Sequence, residues 1–167
     1  MIAHLEVRNE SSRKRLYRRD VLQRLTERVL AGEGVADAVE VSLLFCDDAL
    51  IKDLNRQYRG KNKPTDVLSF EQEVEQHGPR RVLGDIVISL ETVEHHCAGD
   101  RQAMTDEVKL LVCHGLLHLL GHDHATEEER ARMNTKQAAY LGVDLVAAWR
   151  TEQQHRSAGR RPVERSK

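Results

Sequence analysis

Apolar and polar positions fall into two periodicities along the 167 residues, and they predict a mixed α+β chain. Residues 2–8 alternate, so they read as a strand with one covered face. Residues 13–31 carry Leu22, Leu25 and Val29 at helical spacing, and Gly32 and Gly34 end that predicted helix. Val39 to Cys46 is a run of Val, Leu and Phe that predicts a second strand. Asp47 then stands where an N-cap belongs, ahead of a short helix with Ile51, Leu54 and Tyr58 on its buried side.

That helix runs out near Gly60, before Pro64. Two more strands are predicted, Asp66 to Glu71 and Val82 to Leu90, joined by an acidic hairpin loop around His77, Gly78 and Pro79. A short helix from Glu91 to Cys97 follows Ser89 and breaks at Gly99. Residues 102–120 give the strongest helical pattern. Its second half, from Val108 to Leu120, is apolar on nearly every side, so this helix is expected at the centre of the fold. Thr126 with Glu129 forms a capping-box pattern that starts a last helix to about Leu141. The expected fold is one mixed sheet of about four strands packed with helices, around a central buried helix. Residues 1–150 read as a single domain, and the polar, basic residues 151–167 as a disordered tail.

Composition changes this picture little. Hydrophobic residues make up 40%, charged residues 32% and aromatics only 4%, so Leu, Val and Ile must fill the core. No apolar run approaches the ~20 residues of a membrane span, and no apolar signal core is present near the N-terminus. The odd set Cys46, Cys97 and Cys113 contains no C-x-x-C pair. The expectation is free thiols in a reducing cytoplasm, with no membrane partner.

The net charge of −1 conceals segregation. Arg13, Lys14, Arg15, Arg18 and Arg19 lie within seven residues, and Arg56, Arg59, Lys61 and Lys63 within eight. The last eighteen residues carry six Lys or Arg against two Glu. Each cluster alone reads as a solvated face, yet together they allow a polyanion-binding surface.

The chemistry concentrates in one string, His114-Gly-Leu-Leu-His118-Leu-Leu-Gly121-His122-Asp123-His124. Two histidines four apart share a helix face, close enough for both imidazoles to meet one Zn²⁺ at about 2.0–2.1 Å. A turn at Gly121 can return His124 as a third ligand, leaving a fourth position for water, as in catalytic zinc sites. One zinc per chain is expected, although imidazole also suits Ni, Co and Fe. His122, offset from that face, reads as pocket lining. Asp123 either accepts a ligand N–H or shapes the turn. His95, His96 and Cys97 form a second cluster, read as solvent-facing because neighbours in sequence diverge.

The H-x3-H-x5-H spacing matches the metzincin pattern H-E-x-x-H-x-x-G-x-x-H except at one position, where Gly115 replaces the general-base glutamate. A peptidase needs that carboxylate, so peptide hydrolysis is disfavoured.

The same string resembles the signature H-G-x-L-H-L-x-G-[YH]-D-H of the YbeY family of bacterial endoribonucleases. The segments Leu54 to Phe70 and Gly84 to Ser89 are also similar to that family, and the resemblance spans about residues 40–142. It implies a metal site at His114, His118 and His124, with His114 and Arg59 as catalytic residues. It further implies cleavage of single-stranded RNA in 16S rRNA 3′-end maturation and ribosome quality control. The implied partners are rRNA, the small ribosomal subunit and ribosomal or assembly proteins, not DNA. Arg59 can fork onto a phosphate, and Arg56, Lys61 and Lys63, with a helix over Arg13 to Arg19, would extend a backbone track. Attack by metal-activated water and attack by the RNA 2′-hydroxyl both remain open. The alternative function is an assembly factor whose metal is mainly structural.

Overall fold

A computed structural model describes residues 3–13, 16–72 and 81–144. Four strands, β1 (Ala3–Asn9), β2 (Val39–Cys46), β3 (Val67–Glu71) and β4 (Arg81–Ser89), form one sheet in the order β1-β2-β4-β3. β1 and β4 each pair parallel with β2, while β3 pairs antiparallel with β4 and forms an edge. Five helices accompany them: α1 (Arg19–Gly32), α2 (Asp48–Arg59), α3 (Leu90–His96), α4 (Arg101–Leu119) and α5 (Glu127–Leu141). The expected mixed four-stranded sheet around a central buried helix is what the chain adopts. The loop around His77 and the basic tail lie outside the described residues.

Alternation explains which face each strand covers. In β1, Ala3, Leu5 and Val7 are buried between exposed neighbours. β2 and β4, inside the sheet, bury nearly continuous runs. One face joins Leu43, Phe45, Ile86 and Ile88 to α1 and α4 in the main core. The other joins Leu68, Phe70, Val87 and Cys46 to Ile51 and Leu54 of α2 in a smaller cluster. Thr126 and Glu129 make the predicted capping box at the start of α5. All three cysteines are free, with Cys46 and Cys113 buried. No helix among the described residues is long and apolar enough to cross a membrane.

Three expectations are corrected. The helix predicted from residue 13 begins only at Arg19. Polar contacts take the preceding residues elsewhere: Asn9 accepts the Ser11 N–H, Ser11 and Ser12 donate hydroxyl hydrogens to Asp47, and Arg13 donates to Glu94. Asp47 therefore spends its carboxylate on these serines and makes no side-chain cap on α2. Tyr58, expected on the buried side of α2, is 61% exposed. Its turn lies at the outer end of the smaller cluster, where its ring meets that of Phe70 edge to face, at 5.3 Å between centroids.

Candidate metal centre

α4 is apolar around most of its circumference because it is covered on several sides, by the sheet, α1, α3 and α5. At its C-terminus the His122 N–H donates to the Leu117 carbonyl and the Gly121 N–H to His118, with Gly121 at φ +98°. This is a Schellman stop, and it needs a residue tolerant of positive φ where Gly121 stands. The reversal brings His124 back beside the helix end.

His114, His118 and His124 then converge, each offering a ring nitrogen within 4.8 Å of the others. The ring centroids lie 4.6, 5.2 and 5.0 Å apart, and the Nε2 atoms of His114 and His118 are separated by 3.2 Å. Two nitrogens bound tetrahedrally at about 2.0–2.1 Å would sit roughly 3.3 Å apart, so the pair is spaced for one metal ion. His114 is 8% exposed, while His118 and His124 are half-buried at the open side.

The tautomer agrees with that use. His114 Nδ1 lies 2.8 Å from Gln137 Oε1, so its N–H donates there and the Nε2 lone pair faces His118. Gln137 is fully buried, and its own amide nitrogen has no hydrogen-bond partner among the described residues. An unsatisfied buried donor costs about 1–3 kcal/mol, which fits a residue held for the orientation of its neighbour. Gln137→Leu is expected to keep the fold and weaken metal binding about 10–100-fold, with Gln137→Glu recovering most of it. Competition with a chromogenic chelator measures both. Residue 137 carried no sequence signal, because its partner lies twenty-three positions away.

His122 does not join the trio. Its Nε2 lies 2.7 Å from Glu33 Oε1, and Lys136 and Tyr140 donate to Oε2 of the same carboxylate. Asp123 accepts the His124 N–H at 2.8 Å, so it shapes the turn rather than steadying a ligand ring. Burial pushes the Glu33 carboxyl up, but hydrogen bonds from Tyr140, His122 and Lys136 outweigh it and hold the group at about 2, against 4.5 ordinarily. A folded-state value below the unfolded one stabilises the protein above about pH 4.5 and is lost as pH falls toward 2. Glu33→Gln is therefore expected to lower the melting temperature at pH 7 and to flatten its decline between about pH 5 and pH 3, read by circular dichroism.

The basic residues are dispersed. Arg59, at the end of α2, donates from Nη2 to the Ser69 carbonyl at 2.8 Å and lies 5.1 Å from the Phe70 ring centroid. It thus sits on the α2 side of edge strand β3, whereas α4 and its histidines belong to the other side. Arg56 is ion-paired with Asp53, and Lys61 and Lys63 are half-buried. Arg13, Arg18 and Arg19 are engaged by Glu94, Asp20 and the Val7 carbonyl, and of the three only Arg19, the first residue of α1, lies in a helix. Of the second histidine cluster, His95 is exposed, but His96 turns inward beside Asp66 and Glu107.

Residues 6–143 match the family model described as Endoribonuclease YbeY. The chain is 47% identical over 126 residues to the Endoribonuclease YbeY of Pelotomaculum thermopropionicum, covering 73% of this chain and 83% of that one. Identity to the Geobacillus kaustophilus protein of the same name is 41% over 149 residues, 84% and 96% of the two chains. The solution structure of a Thermotoga maritima protein superposes with a TM-score of 0.56 at 28% identity, covering 94% and 99%.

Proposed function

Because this chain belongs to the YbeY endoribonuclease family, we propose that it is a cytoplasmic, metal-dependent endoribonuclease that cleaves single-stranded RNA. Its place would be 16S rRNA 3′-end maturation and ribosome quality control, with the small subunit and its proteins as partners and no role on DNA. The active domain would cover residues 1–150, with 151–167 as a basic extension.

One observation carries the reading: three imidazoles converge at the end of a buried helix, with glycine where a peptidase holds its base. His114, His118 and His124 would hold one Zn²⁺ or a similar divalent ion. Such an ion supplies Lewis-acid stabilisation of charge on a phosphoryl oxygen and lowers the pKa of water. Gln137 keeps His114 in the ligating tautomer. Arg59 is steadied by the Ser69 carbonyl and the Phe70 face, and its remaining N–H groups are suited to fork onto a phosphate. The RNA would cross the β3 edge, since Arg59 is anchored to that strand from one side and α4 packs on it from the other. Lys61, Lys63 and Arg56 would add salt-sensitive backbone attraction nearby.

Tyr58, exposed beside Phe70, offers a ring on which an unstacked base can lie. Base stacking is worth about 1–3 kcal/mol, so Tyr58→Ala is expected to weaken binding of a short single-stranded RNA roughly tenfold. Metal content should not change, and anisotropy titration reads the affinity. The function itself is tested by RNA cleavage with purified wild type and Arg59→Glu, each before and after chelation and metal return. Cleavage that survives chelation, or that Arg59→Glu retains in full, would remove the metal-dependent nuclease.

A further inference from the structure

A second constellation lies on α4, outside the three histidines. Asp66, just before β3, His96, in the last turn of α3, and Glu107, in the first half of α4, bring their ligand atoms within 4.8 Å of one another. Asp66 is 8% and Glu107 7% exposed, so these are interior carboxylates rather than a solvated acidic patch. Three separate elements deliver one donor each to a single point.

We propose that Asp66, His96 and Glu107 form a second cation site that takes a hard first-row divalent ion of the Mn²⁺ kind. The donor set argues for that class. Two carboxylates and one imidazole are oxygen-rich, whereas the three-histidine centre is all nitrogen, so the two sites prefer different ions. A divalent ion would bring two positive charges to two interior carboxylates, where charge is expensive unless it is balanced.

Spacing decides what the site is for. Glu107 and His114 are seven residues apart, two turns of one helix face, which separates them by about 10 Å along the axis. Metals that share a reaction lie about 3.5–4 Å apart, so this ion would not bridge to the histidine centre. It would instead clamp α3 and α4 to the start of β3, three residues before Ser69, whose carbonyl steadies Arg59. The site is independent of whether the chain cleaves RNA.

The test counts metal. Chelator-stripped full-length protein is dialysed against Mn²⁺, Zn²⁺ or both together and analysed by elemental mass spectrometry and by Mn²⁺ electron paramagnetic resonance. Wild type is expected to bind about two ions per chain when both metals are supplied, with bound Mn²⁺ showing slow-tumbling protein coordination. Glu107→Gln and His96→Asn should each lose about one equivalent, the Mn²⁺ one, and keep the Zn²⁺ equivalent, while His118→Ala should do the reverse. Retained Zn²⁺ also certifies that the variants are folded. The inference is overturned if wild type binds a single equivalent, or if Glu107→Gln and His96→Asn lower only the melting temperature in chelator and leave the metal count intact. In either case the trio is an internal ion-pair cluster.

Discussion

His118→Ala is expected to purify with little or no tightly bound divalent metal and to cleave single-stranded RNA at about a thousandth of the wild-type rate or below. His118 is the informative ligand because it is half-buried at the open end of α4. His114 is embedded in the core and bonded to Gln137, so its removal mixes loss of metal with loss of packing. Two imidazoles remain in His118→Ala, and two neutral donors hold a divalent ion far less tightly than three. The Nε2 of His118 also lies 3.2 Å from that of His114, so its loss opens the coordination sphere directly. The melting temperature in chelator should match the stripped wild type, which separates ligand loss from misfolding. Elemental analysis and gel-based cleavage of a defined RNA supply the two readouts. A variant without metal that still cut RNA at the wild-type rate would move the reaction to another part of the chain.

The parts of the fold that depend on consecutive residues were legible in the sequence. β2 and α4 are long apolar runs whose burial needs no distant partner to explain it, and both appear within a residue or two of the predicted limits. The histidine spacing belongs with them, because helix geometry and one glycine stop determine the trio within eleven residues. What escaped is long-range. Arg13 to Arg18 has the composition of a helix start, but Asp47 and Glu94, more than thirty residues on, draw Ser11, Ser12 and Arg13 out of that geometry. Tyr58 continues the spacing of Ile51 and Leu54, but the smaller cluster ends before it does.

His96 shows the same limit from the other side. Neighbouring residues do diverge, and His95 is exposed as expected. The last turn of α3 nevertheless faces the start of β3 and α4, and which member of the pair turned inward could not be read locally. Glu33 and Gln137, which anchor His122 and His114, sit far from the motif in sequence. They are ordinary polar residues until α1 and α5 close around the turn.

Gly115→Glu is expected not to yield a peptidase but to prevent folding. A Cβ at position 115 would stand 2.9–3.1 Å from three side-chain carbons of Ile86, itself fully buried on the interior strand β4. Even one methyl must displace Ile86, at about 1–3 kcal/mol for an overpacked core. Alanine's better helix propensity returns about 1 kcal/mol, so Gly115→Ala should be destabilised by up to roughly 2 kcal/mol and melt up to several degrees lower. Glutamate adds a charge driven into the same apolar contact, and an unpaired interior carboxylate costs several kcal/mol more. Against a total stability of about 5–15 kcal/mol, that sum is enough to leave the chain unfolded or insoluble. Thermal melts of Gly115→Ala and the soluble yield of Gly115→Glu measure the two steps. A soluble Gly115→Glu that melted like wild type would mean that α4 is not seated against β4 at this point. The missing base is thus a packing condition as well as a chemical one: the close approach that buries α4 leaves no volume for the metallopeptidase carboxylate.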